Sequence, residues 1–104
     1  MSAARLQPQG DGLFRLLGRI DYDSVPSLWA TSSVVFDGQS RIIVELDGVE
    51  HADSAAVALL LAWTRLARQR GHQIEFRGAP DQLLRLVRLS ELTSLLPIRT
   101  QPPT

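Results

Sequence analysis

The stretch "RIIVELDGVEHADSAAVALLLAWTRLARQRG" (residues 41–71) decides how the chain is read. Its opening, Arg41 to Leu46, is β-branched and contiguous, which predicts a central strand covered on both sides. A polar turn with carboxylates, a histidine and one serine comes next, and a helix from Ala55 to about Arg70 follows at once. Gly71 stands where a helix-ending left-handed residue is favoured.

Working outward, "ARLQPQ" and "LFRLLGRI" (Leu13–Ile20) read as two strands joined by "GDG", a hairpin with Pro8 tolerated at an edge. "DYDSVPSLWATSS" reads as a short helix, with Asp23 or Ser24 as cap and Pro26 in the first turn. "HQIEFRG" predicts another strand and "APDQLLRLVRLSEL" a third helix, with Leu83, Leu84 and Val87 facing inward. "TSLLPI" closes the order as an edge strand or irregular segment. Strands separated by helices pair in parallel through crossovers. The expectation is a single α/β domain: a mixed, mostly parallel sheet with an N-terminal β-hairpin and about three packing helices.

Composition narrows the function. The chain of 104 residues has one domain's worth of core, and its eleven arginines balance eleven acids, with no lysine. No net field therefore gathers nucleic acid or an anionic membrane. Without cysteine there is no disulfide and no thiolate zinc site. No signal peptide is legible, and the apolar run from Ala55 to Trp63 is too short to span a bilayer, so a cytoplasmic home is expected. The last residues, 99–104, read as a flexible tail.

The turn before the central helix concentrates the polar chemistry. Asp53 or Ser54 caps the helix by accepting a hydrogen bond from a free amide of its first turn. A phosphate on Ser54 would meet the positive end of the helix and the repulsion of Asp53 and Asp47, altering that surface sharply. Along the helix, Ala56, Leu59, Leu60, Trp63 and Ala67 form a face for the sheet. Val57, Leu61 and Thr64 form a second stripe that ends at Arg68, with Arg65 and Arg70 at its edge. Either a neighbouring helix covers that stripe or it docks another protein.

Enzyme chemistry finds little support. Ser54 lacks the G-x-S-x-G elbow, and neither His51 nor His72 stands in a nucleophile arrangement. His51, Asp53 and His72 have no metal-ligand spacing, and the glycines match neither G-x-G-x-x-G nor a Walker sequence, so no cofactor or metal is expected. Arg65, Arg68, Arg85 and Arg88 would make one basic side, but no aromatic interleaving points to nucleic acid.

The element order, "VELDGVEHADSAAVALLL" and "RQRGHQIEFRGAPDQLLRLVRLSEL" resemble the STAS domain family of anti-sigma-factor antagonists, over residues 3–98. Within it the chain is most similar to the MlaB-type subunits of the ABC system that maintains outer-membrane lipid asymmetry. The resemblance implies a non-catalytic domain. Asp53 and Ser54 occupy the family's aspartate and phosphorylatable serine or threonine, although Ala55 and Ala56 stand where relatives often have a hydroxyl residue and glycine.

For MlaB-type subunits the implied partner is the transporter ATPase and, through it, the membrane permease, with peripheral inner-membrane association. The contact surface then comprises Asp53, Ser54, Val57, Leu61, Arg65 and Arg68. "LWA" (28–30) adds to this likeness. For an anti-sigma-factor antagonist, the partner is a serine kinase that phosphorylates Ser54.

Overall fold

The computed structural model describes residues 3–99. Strands β1 (Arg5–Gly10) and β2 (Leu13–Ile20) form the hairpin, followed by helix α1 (Val25–Val35), β3 (Arg41–Ala52) and α2 (Ser54–Gln69). Strand β4 (Gln73–Arg77), helix α3 (Asp81–Leu89) and the short β5 (Ile98–Arg99) complete the chain. The sheet order is β1-β2-β3-β4-β5, with β1 antiparallel to β2 and every other pair parallel. This is the α/β domain with an N-terminal hairpin and three helices that the sequence predicts.

All three β-α-β units step the same way across the sheet, so right-handed crossovers put the three helices on one face. Burial alternates accordingly. In β3, Ile42, Val44 and Leu46 are sealed, whereas Arg41 and Asp47 are exposed and Ile43 and Glu45 only half-buried. The expectation of a strand covered on both sides is corrected: apolar Ile43 made the run look continuous. The open face carries ion pairs instead, Arg15 with Asp47 at 3.4 Å and Glu75 between Arg77 and Arg99.

A second correction concerns the length of β3. The predicted turn after Leu46 is strand through Ala52, because β2 continues alongside and pairs Leu17 with Gly48 and Ile20 with Ala52. Two register shifts along the β2–β3 pair, each with one extra residue on β3, absorb the extra length. Gly48 makes room there for the Leu17 side chain, since a Cβ would lie 2.4 Å from Leu17 Cδ2 and displace it. β4 pairs only with Arg41 to Glu45, so the last residues of β3 project past it beside β2 alone.

The helices end close to expectation. Gly71, at φ +72°, follows α2, and the His72 amide donates to the Ala67 carbonyl at 2.8 Å, closing the helix. Helix α3 stops at Leu89, short of the predicted Leu92, and Glu91 adopts φ 57° just beyond it. Arg99 closes β5; the expected tail beyond it lies outside the described residues.

Beneath the helices, Phe14, Phe36 and Trp63 meet edge to face, with centroids 5.1 Å and 5.5 Å apart. Trp63 is fully buried and its indole Nε1 has no hydrogen-bond partner among the described residues. Replacing Trp63 by Ala removes the keystone of this cluster and is expected to cost about 3–5 kcal/mol in urea unfolding. Trp63→Phe keeps a ring and removes an unpaired donor, so it is expected to cost less than about 2 kcal/mol. Equal losses for the two variants would contradict the packing described.

Candidate functional site

At the carboxyl end of the sheet, the projecting end of β3 delivers residues 53 and 54 into the open. Two side chains fix this end in place. The Gln82 amide on α3 pairs with the backbone of Ala52, accepting its N–H at 3.0 Å and donating to its carbonyl at 2.5 Å. It replaces the strand that β3 lacks on that side. Asp53 supplies the other tie: Oδ1 accepts the Ala55 amide at 2.8 Å, capping α2, and Oδ2 accepts the Tyr22 amide at 3.1 Å.

The loop that receives this second bond is itself rigid. Asp21 Oδ1 accepts the Asp23 and Ser24 amides, both at 3.1 Å, and Ser24 Oγ accepts the Asp21 amide while donating to the Arg19 carbonyl. The Ser24 backbone bond, with those of Asp23 and the Ser24 hydroxyl, holds the Asp21 carboxyl below its ordinary range. Ser24 thus serves the loop and makes no side-chain cap on α1.

Of the two candidate caps on α2, Asp53 is the one used. Ser54, the first helical residue, is exposed, and its hydroxyl makes no hydrogen bond among the described residues. An acceptor-capable hydroxyl therefore stands at the positive end of a 16-residue helix without structural employment.

Structure divides the predicted second stripe. Val57, 2% exposed, and Thr64 belong to the core, so Val57 presents no surface for a partner. The Thr64 hydroxyl donates to the Leu60 carbonyl at 2.8 Å, a bond that lets it be buried. The physical reason is helical phase: counted from Ser54, the outward line passes through Ala58, Leu61, Ala62, Arg65 and Arg68. On that line Leu61 is half-buried, and Arg65 and Arg68 are exposed. Arg70 turns away to pair with Asp37 at 2.5 Å.

Two exposed aromatics depart from expectation: Tyr22 has no role predicted from sequence, and Trp29 is expected to face inward with Val25 and Leu28. Tyr22 is 81% exposed, and its backbone amide is bound by Asp53. Trp29, 40% exposed, lies on α1, a helix with no charged residue. The correction is one of helical phase: Leu28 takes the buried position and its neighbour Trp29, about 100° further round the helix, turns toward solvent.

His72 follows α2 at its opposite end, and the Ser54 hydroxyl makes no hydrogen bond to the exposed His51, so no base–nucleophile pair is formed among the described residues. No group of three or more metal-ligating side chains occurs among the described residues. A recess of about 630 Å³ lies near Glu45, Arg77, Leu84 and Arg99, and none of the predicted site residues lines it. No helix among the described residues is long and apolar enough to cross a membrane.

Comparison with known proteins places this geometry. The family described as "Mlab, STAS domain" matches residues 4–97. The chain belongs to the STAS domain family. The family's domains are non-catalytic regulatory modules. The anti-sigma factor antagonist SpoIIAA in its unphosphorylated form has the same fold, at 18% identity and TM-score 0.75, over 96% of this chain and 89% of that one.

The phosphorylated form of SpoIIAA from Bacillus matches at 20% identity and TM-score 0.69, over 96% and 92% of the two chains. An anti-sigma factor antagonist from Mycobacterium paratuberculosis matches at 22% and 0.69, over 97% and 85%. No curated protein matches the sequence significantly.

Within this STAS domain, the division of labour between the two turn residues is testable. Asp53→Ala removes the α2 cap and the Tyr22 tie and is expected to cost about 1–2 kcal/mol in urea unfolding. Ser54→Ala is expected to stay within about 0.5 kcal/mol of the parent. The reverse order would show that the serine is the cap.

Because the Asp21 carboxyl is depressed in the folded state, its contribution to stability is present above the unfolded-state pKa. It is lost as pH falls through the folded-state value. Asp21→Asn is therefore expected to lower the melting temperature at neutral pH, by an amount that shrinks toward zero as acidification protonates the parent's Asp21 in the folded state.

Proposed function

We propose that the chain is a cytoplasmic partner-binding switch of the anti-sigma-factor-antagonist kind, in which a partner serine kinase phosphorylates Ser54. The observation that carries this reading is the exposed Ser54 hydroxyl, unbonded at the first position of α2 while Asp53 does the capping. Modification there costs no structural bond. The kinase holds the ATP; Ser54 Oγ takes the γ-phosphoryl group, loses its proton and leaves ADP behind. The new dianionic group gains from the free amides of α2 and is repelled by Asp53, so a surface favouring the partner before modification disfavours it afterwards.

The docking surface follows from exposure and position: Asp53 and Ser54 at the turn, Leu61 with Arg65 and Arg68 along α2, and Tyr22, whose amide is tied to Asp53; Trp29 on α1 is a further exposed aromatic. The exposed aromatics are the residue types that anchor protein interfaces. The similarity to SpoIIAA structures of both phosphorylation states supports this reading.

A second reading is favoured by the family description, which names Mlab. In it the same surface binds the ATPase of a phospholipid-transport ABC complex, as a subunit peripheral to the inner membrane through the permease. Its effect on ATP hydrolysis arises from preferring one arrangement of the ATPase, not from a residue delivered to phosphate.

Affinity capture of the full chain from its own cells, with mass spectrometry of Ser54, tests both. A serine kinase among the captured proteins and phosphate on Ser54 are expected for the first reading. A transporter ATPase without phosphate is expected for the second. Leu61→Asp is expected to reduce capture by about tenfold or more while the fold persists. Undiminished capture by Leu61→Asp and Ser54→Glu would overturn the shared surface.

A further inference from the structure

Arginines on α2 and α3 form a second surface feature, which shares Arg65 and Arg68 with the docking surface proposed above and adds Arg85 and Arg88, which that surface does not use. Arg65 and Arg68 lie one turn apart on α2, Arg85 and Arg88 one turn apart on α3, and all four are exposed. The two helices contact each other. Among the described residues none of the four guanidinium groups makes an ion pair or side-chain hydrogen bond; Arg5 and Arg41, on the strands, make none either, whereas Arg15, Arg19, Arg70, Arg77 and Arg99 are paired. α2 contains no acid, and α3 has only Asp81 at its first position; Glu91 comes after α3 ends.

Neutral overall, the chain thus segregates its charge. Arg68 and Arg88 sit in the last turns, where a cation offsets the helix dipole. Arg65 and Arg85 lie earlier and have no such account. Leu89, 81% exposed, stands beside Arg85 and Arg88 on the outward side of α3.

We infer that this α2–α3 face rests reversibly on an anionic lipid surface. Four unpaired arginines complement a sheet of phosphates, and guanidinium groups take phosphate oxygens in pairs. Leu89 is exposed rather than sunk in a recess; a leucine so placed among cations can enter a headgroup layer, whereas a protein partner would have to offer a fitted pocket. Neither α2 nor α3 has an exposed aromatic on which a nucleic-acid base could stack. The attraction is modest for each arginine, so the contact is weak and salt-sensitive.

Cosedimentation of the full chain with vesicles tests the inference. The probes are phosphatidylcholine vesicles with about a quarter phosphatidylglycerol, and phosphatidylcholine alone, at about 0.1 M salt. Binding is expected only to the anionic vesicles. Arg65→Gln with Arg68→Gln, or Arg85→Gln with Arg88→Gln, is expected to weaken partition roughly 30-fold, and Leu89→Ser to weaken it several-fold.

All five positions are exposed, so circular dichroism is expected to show an unchanged fold. Ser54→Glu, about 16 Å along α2 from Arg65, is expected to leave vesicle binding intact, which separates this inference from the partner-binding reading. No binding by the parent, equal binding to both vesicles, or indifference to either double substitution would overturn it. So would preferential binding of a DNA duplex over the anionic vesicles.

Discussion

One carboxylate holds the functional end of the molecule together. Asp53 accepts the Ala55 amide with one oxygen and the Tyr22 amide with the other, joining the start of α2 to the loop that follows β2. Both donors would otherwise face solvent or lack a partner at a helix end. Since Asp53 satisfies the helix, Ser54 is released from that duty. The exposed hydroxyl is a consequence of the aspartate's bidentate use, and the function proposed for the domain depends on that release.

The rest of the fold serves to place this pair. β3 runs past the end of its pairing with β4, supported by β2 on one side and by the Gln82 amide on the other. The Phe14, Phe36 and Trp63 cluster sets the seat of α2 on the sheet, and with it the outward line from Ser54 to Arg68. A small domain can thus present a chemically simple surface in one fixed orientation. In the function proposed, partner choice follows from charge and shape at that surface.

Much of this was legible in the sequence because local signals agreed. The β-branched run at 42–44, the helix ended by Gly71 and the Asp-Ser pair before an apolar helix each pointed to what the structure contains. Three features were not legible, for physical reasons. The extension of β3 depends on pairing with a strand far away in sequence, and its own residues, "DGVEHA", favour turns. Val57 and Leu61 share a four-residue spacing, yet helical phase buries one and leaves the other half-exposed. The Tyr22 tie joins residues 31 apart, a contact no local pattern encodes.

Residue-resolved amide hydrogen exchange measures the central claim most directly. The amides of Tyr22 and Ala55 are expected to be protected in the parent chain, to exchange faster together in Asp53→Ala, and to keep their protection in Ser54→Ala. If loss of the serine hydroxyl released the Ala55 amide while loss of the aspartate left both amides protected, the proposed division of roles would be contradicted.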